Sequence, residues 1–217
     1  MDSSEAQQRL DEIQRIVQRT TLNTRLPGWP AIIAGGIVLA GSAASYFLLG
    51  GSMDYAALVG RPVGVQWGFC ILWAAVAIVS LGQEVVLGRL AAAKNGELAA
   101  RRPGRLAVLS LTPSVGVAIA LTLKILLGEN VKVFNDAVLR LMPPIWMMCY
   151  GTGVYAAGLF STRLPRMLGA AFIVLGAAGL LPRLEQYGLL LIAASFGLLH
   201  ILFGLLVLRR DATAGGG

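Results

Sequence analysis

The stretch YGLLLIAASFGLLHILFGLLVL, residues 187–208, runs for 22 residues with a histidine as its only basic or acidic side chain. At about 1.5 Å of rise per residue, a helix of this length covers ~33 Å, enough for a hydrocarbon core about 30 Å thick. The run is continuously apolar and lacks the in-out alternation of a barrel strand, and backbone polar groups in lipid must be satisfied within the segment. A transmembrane helix is the reading that meets both conditions.

Five further runs approach the same length: Pro30 to Gly50, Val63 to Leu81, Leu106 to Leu127, Leu141 to Phe160 and Met167 to Leu181. The last is short and is bracketed by Pro165 with Arg166 and by Pro182 with Arg183. Arginines can snorkel from both of its ends, and a re-entrant hairpin is the alternative there. The expected fold is therefore all-α: an integral membrane bundle of six transmembrane helices over residues 29–209, preceded by a short cytoplasmic amphipathic helix over residues 1–28. Residues 210–217, ending in DATAGGG, are expected to be a disordered tail.

Composition agrees with a lipid solvent. Of the 217 residues 56% are hydrophobic and 13% charged, and the mean hydropathy is +0.72, far from a soluble average. The net charge of +7 does not point to nucleic acid, because the basic residues sit between apolar runs and not in a patch interleaved with aromatics. With both ends inside, the cytoplasmic segments hold Arg9, Arg15, Arg19, Arg25, Arg89, Lys94, Arg101, Arg102, Arg105, Arg163, Arg166, Arg209 and Arg210; the outer loops hold Arg61, Lys132, Arg140 and Arg183. Lys124 lies within the third run. An imbalance spread over every loop places the N- and C-termini in the cytoplasm. The long polar lead with Asp2, Glu5, Asp11 and Glu12 reads as preceding an uncleaved anchor, unlike the short basic region of a signal peptide.

Outside the lipid, SSEAQQRLDEIQRIVQRT (3–20) reads as a helix with Ser4 and Gln7 spaced as a capping box and Leu10, Ile13 and Val17 on one face. It would lie on the membrane surface or dock a partner protein. The loop GRLAAAKNGELAARRPGR (88–105) is the largest basic patch, either a topology determinant or an anionic-lipid site. GENVKVFNDAVLRLMPP (128–144) mixes apolar and charged residues and suits the outer interface.

Few side chains inside the runs can do chemistry. His200 lies about nine residues from its cytoplasmic boundary, Ser114 about nine from its own, and Tyr155 about six, so the three could form a mid-membrane polar cluster. Pro113 frees the carbonyl of Leu109 near Ser110 and Thr112, giving a kink at similar depth. The bland reading is a neutral histidine holding helices together beside an ordinary proline kink. Met147, Met148 and Cys149 with His200 raise the question of Cu(I) or haem, but no ligand spacing supports a metal, and none is expected. Cys70 and Cys149 read as reduced thiols. Phosphate-binding glycine loops, HExxH, GxSxG and CxxC pairs do not occur, so no cofactor and no enzymatic activity are expected. Small residues at Gly36, Ala40 and Ala44, at Gly153 and Ala157, and at Gly176 to Gly179 suit close helix packing or a dimer face.

The segments LNTRLPGWPAIIAGG (22–36), WMMCYGTGVYAAGLFSTRLPRMLG (146–169) and LLHILFGLLVLRR (198–210) resemble those of small six-span bacterial inner-membrane proteins that carry no assigned activity. The resemblance implies a bacterial origin and the six-helix layout, and no site residues. The expected partners are the lipid bilayer and either further copies of the chain or another membrane protein, with no nucleic acid. Two functions follow as expectations: a non-enzymatic sensor, regulatory or assembly module, and a small-molecule or ion carrier with a polar cavity around His200.

Overall fold

The computed structural model describes residues 28–94, 101–126, 136–159 and 163–214; the expected amphipathic helix of residues 1–28 lies outside them but for Gly28. Every regular element among the described residues is helical. These are α1 (Gly28–Leu48), α2 (Val63–Lys94), α3 (Arg101–Leu126), α4 (Asp136–Leu159) and α5 (Arg163–Gly179). The last rod, α6, joins Gly188–Ile192 to His200–Ala214 through a π-helical stretch, Ala193–Leu199. Short 3-10 turns at Tyr55–Leu58 and Glu185–Tyr187 sit before α2 and α6.

Three helices among the described residues are long and apolar enough to cross a membrane: Gly28–Leu48, Val63–Leu87 and Glu185–Arg210. The other three fall short for identifiable reasons. The apolar part of α3 is confined to Leu109–Ile125, α4 contains Pro143 and Pro144, and α5 is 17 residues long. α5 is nonetheless one unbroken helix lying antiparallel against α4, and not a hairpin. The final helix continues to Ala214, beyond the point where disorder is expected; the Thr213 hydroxyl donates back to the carbonyls of Arg209 and Arg210.

Two glycine seams organise the bundle. Gly28 and Gly35 of α1 face Gly204 and Gly197 of α6. A Cβ on Gly35 would stand 2.5 Å from the Gly197 carbonyl oxygen, and one on Gly204 would stand 2.5 Å from that of Gly28. In α4 and α5 the same device recurs: a Cβ on Gly151 would stand 2.8 Å from the Gly169 carbonyl oxygen, and one on Gly169 2.7 Å from that of Gly151. Gly176, seven residues after Gly169, lies against Met148 and Pro144. Seven residues are about two helical turns, so each seam presents bare backbone on one stripe, and antiparallel partners close to van der Waals contact through it.

This corrects the expected packing face on α1. Gly36 has nothing within 4 Å of a Cβ, and Ala40 and Ala44 are exposed with it. Gly153 and Ala157 are buried, Gly153 against Leu111 and Ser114 of α3, and Gly176 and Gly179 are buried against α4.

Outside the seams, α2 packs on α1 and α3 on α4. Only 6% of the apolar stretch of α2 is buried, and Trp67, Ile71, Ile78 and Val85 point outward. The core proper lies where α4, α5 and α6 meet, with Met147 and Phe172 fully enclosed.

One end of the bundle is tied by charge. Asp54 caps the first 3-10 turn by accepting from the amide of Ala56 at 2.9 Å, and receives Nε and Nη2 of Arg140 at 2.9 and 2.7 Å. Glu185 approaches Arg140 at 3.6 Å, so three segments distant in sequence meet on one guanidinium. That hydrogen bond to Asp54 is the main reason the Arg140 guanidinium holds its proton even more firmly than usual. The connection from α1 turns through Gly50 and Gly51 at positive φ, where glycine is favoured, and Arg61 donates to the carbonyl of Leu49 at 2.8 Å.

Candidate functional site

His200 is the first residue after the π-helical stretch and is 5% exposed. Within that stretch the Ser195 hydroxyl donates to the carbonyl of Leu191 at 2.7 Å, and Gly197 leaves room for Leu39 of α1. A π-turn carries one residue more than an α-turn and is often found at functional positions.

Three aromatic rings surround the imidazole. Phe196 stacks on it with 11° between planes, Phe172 of α5 meets it edge-on at 5.4 Å, and Tyr150 of α4 lies at 5.5 Å. The Tyr150 hydroxyl and Nε2 of His200 are 2.8 Å apart. If the phenol donates, Nε2 accepts and Nδ1 carries the hydrogen; in the other tautomer both roles reverse. Nδ1 is buried and makes no hydrogen bond among the described residues, although the carbonyls of Ser195 and Phe196 lie close to the ring. A buried group left unpaired costs about 1–3 kcal/mol.

The expected cluster of His200, Tyr155 and Ser114 is not assembled. Tyr155 is 42% exposed, and Ser114 lies on the α3–α4 contact, its Cβ 3.5 Å from where a Cβ on Gly153 would be. Depth along the helices is right, but azimuth is not. Tyr150 and Tyr155 are five residues apart, which turns the second about 140° away from the first. Met147 and Cys149 sit beside Tyr150 in sequence, with Cys70 and Cys149 as free thiols.

The structure adds residues that sequence reasoning passed over. Gly35 opposite Gly197 and Gly28 opposite Gly204 put His200 level with Ile32 of α1. Gln83 donates to the carbonyl of Pro30 at 2.9 Å, and a Cβ on Gly41 would meet Val76, which sets Gln83 and Glu84 of α2 beside that same level. The Glu84 side chain itself is exposed. On the same helix the Trp73 Nε1, Ser80 Oγ and Gln83 Oε1 atoms are buried without partners among the described residues. The signal was in the sequence: the apolar stretch of α2 extends to Leu87, past Leu81, so Glu84 falls within it.

Searches against protein-family models, curated proteins and solved structures return no match to this chain.

Proposed function

We propose that this chain is a six-span inner-membrane protein of bacterial type, with both termini in the cytoplasm, acting without enzymatic turnover as a sensor, regulatory or assembly module. What carries the reading is the pair of glycine seams: the interior is spent on backbone-to-backbone closure, Gly28 and Gly35 on Gly204 and Gly197, Gly151 on Gly169. The excess of Lys and Arg in alternate loops supports the orientation. α3, α4 and α5 would complete the span count through flanking arginines and packing against their more apolar neighbours. A reporter active only outside the cytoplasm, fused to Gly217, is expected to stay silent; a strong signal refutes the topology. Movement of a solute by the purified protein in sealed vesicles refutes the non-transporting reading.

A second reading, a small-molecule or ion carrier working through His200, is favoured by one observation, the unpaired buried Nδ1. It requires that His200→Ala abolish uptake in a protein that still inserts.

A further inference from the structure

We infer that the outward face of α2 is a self-association surface: two copies of this chain pair through parallel α2 helices, fastened at the cytoplasmic end by Glu84 of each copy against Arg89 of the other. The inference deepens the assembly reading, and it rests on that reading in taking α2 as a span inserted the same way in every copy.

Within the chain α2 uses one side. Phe69 and Val76 are buried, a Cβ on Gly41 of α1 would meet Val76, and Gln83 donates to the Pro30 carbonyl; these three positions are seven residues apart. Half a turn round the helix runs a second seven-residue pattern. Gly64, Ile71, Ile78 and Val85 hold its first position, and Trp67, Ala74 and Leu81, each three residues further on, hold its second; every one of them is exposed. Of the apolar stretch of α2 6% is buried, against 39% in α1 and 33% in α6. An apolar face alone needs nothing but lipid. A repeat of about 3.5 residues kept through three heptads is, in addition, the spacing at which two helices stay in register as they wind round each other, and β-branched side chains at the first position favour two strands.

Two features fit a second copy of this chain better than lipid. In a parallel pair, a side chain at the Trp67 position inserts among four residues of the facing helix, which by the heptad are Gly64, Trp67, Gly68 and Ile71. Two of the four are glycines, and nothing of this chain lies within 4 Å of a Cβ on either, so the facing helix offers the indole a recess.

Charge supplies the second feature. Copies inserted in one orientation are related by a two-fold axis along the membrane normal, so their α2 helices run parallel. Glu84 and Arg89 then flank the seam on opposite edges, and their separation of five residues is the offset at which flanking positions of parallel partners meet across the interface. Within one helix the same offset turns them about 140° apart. Both are exposed, and neither has an ion-pair partner among the described residues. A carboxylate inside the apolar stretch Val63–Leu87 is costly against lipid; the two-fold pairing neutralises it in both copies.

Contact and affinity are read separately in the full chain. With Cys70→Ala and Cys149→Ala as background, oxidation in intact cell membranes is expected to crosslink Ile78→Cys into a dimer and to leave Val79→Cys monomeric. Both positions are exposed, but the first faces its symmetry mate and the second is turned about 100° from it. Equal crosslinking at the two positions, or none at Ile78, overturns the pairing, and a crosslink from Ile78→Cys to a different protein overturns it in favour of another partner. Energy transfer between copies labelled at Gly217→Cys, diluted with lipid in phosphatidylcholine vesicles, gives the affinity. Glu84→Arg and Arg89→Glu are each expected to weaken association about tenfold, since two attractions become two repulsions, and the two reversals together to restore it within about threefold. Single reversals without effect, or a double reversal no better than the singles, overturn the proposal. Should a single reversal fail to insert, the crosslinking of Ile78→Cys against Val79→Cys decides. Solute movement by the dimer in the same vesicles would refute the non-transporting reading and leave the α2 contact standing, whereas a monomeric chain with both ends still cytoplasmic refutes the contact alone.

Discussion

Gly35 and Gly36 are adjacent glycines on α1 with opposite surroundings, and replacing each in turn by alanine tests the seam directly. A Cβ on Gly35 would stand 2.5 Å from the Gly197 carbonyl oxygen, 2.7 Å from Cγ1 of Ile201 and 3.1 Å from the Ile201 nitrogen, where ordinary contact begins near 3.4 Å. Two of these are backbone atoms of α6, which no side-chain rotation can clear, so α1 and α6 must separate by about 0.9 Å, the difference between 3.4 and 2.5 Å. Gaps of that size forfeit a quarter to a half of each dispersion contact along the seam, and overpacking of this kind costs about 1–3 kcal/mol. At Gly36 nothing lies within 4 Å, so alanine brings only its better helix propensity, a gain of up to about 1 kcal/mol. The assay is reversible unfolding in mixed micelles followed by circular dichroism. Because one separation of α1 from α6 makes room for both side chains, Gly35→Ala with Gly204→Ala, whose Cβ would stand 2.5 Å from the Gly28 carbonyl oxygen, should cost less than the sum of the two single changes. Equal effects of Gly35→Ala and Gly36→Ala, or strict additivity of the double change, would refute the seam.

Three other outcomes are expected. Tyr150→Phe leaves Nε2 of His200 unpaired beside the already orphaned Nδ1 and should destabilise the protein by about 1–3 kcal/mol in the same assay; Tyr155→Phe, at an exposed position, should be neutral. Arg140→Ala removes a bidentate pair to Asp54 and the weaker contact to Glu185. With both side chains of the Asp54 pair partly solvated, the loss should be about 1 kcal/mol and shrink as salt is raised, which thermal midpoints at two ionic strengths measure. Gly176→Leu drives a side chain into Met148 and the Pro144 carbonyl and should separate α5 from α4, seen as lost crosslinking between cysteines introduced in those helices.

Hydropathy sufficed to read helices and their approximate limits, because a run such as Tyr187–Leu208 admits one backbone solution in lipid. Rotation about each helix axis was not legible in the same way. Gly36, Ala40 and Ala44 make as good a small-residue stripe as Gly28 and Gly35, and only the position of Gly197 and Gly204 on a helix more than 150 residues away selects between them. The same ambiguity made Tyr155 the expected neighbour of His200, where the structure has Tyr150. The second run ends at Leu81 by inspection, while Val85, Val86 and Leu87 carry the apolar stretch on past Glu84. The junction of Asp54, Arg140 and Glu185 joins two short 3-10 turns to the start of α4 and leaves no periodic trace in the chain.

The two seams differ in how long the ribosome keeps them apart. Gly151 and Gly169 are 18 residues apart, so α4 and α5 can zip together almost as soon as both emerge, whereas Gly28 and Gly204 are 176 apart. At synthesis rates of about 5–20 residues per second, α1 spends roughly 10–35 s in place before its partner exists. Its glycine groove is bare for that interval, with α2, seated on its other flank, as its only neighbour from this chain for most of the wait. Closure of the α1–α6 seam is therefore the last step of assembly, and a chain cut short before Gly197 carries an open groove that marks it as unfinished.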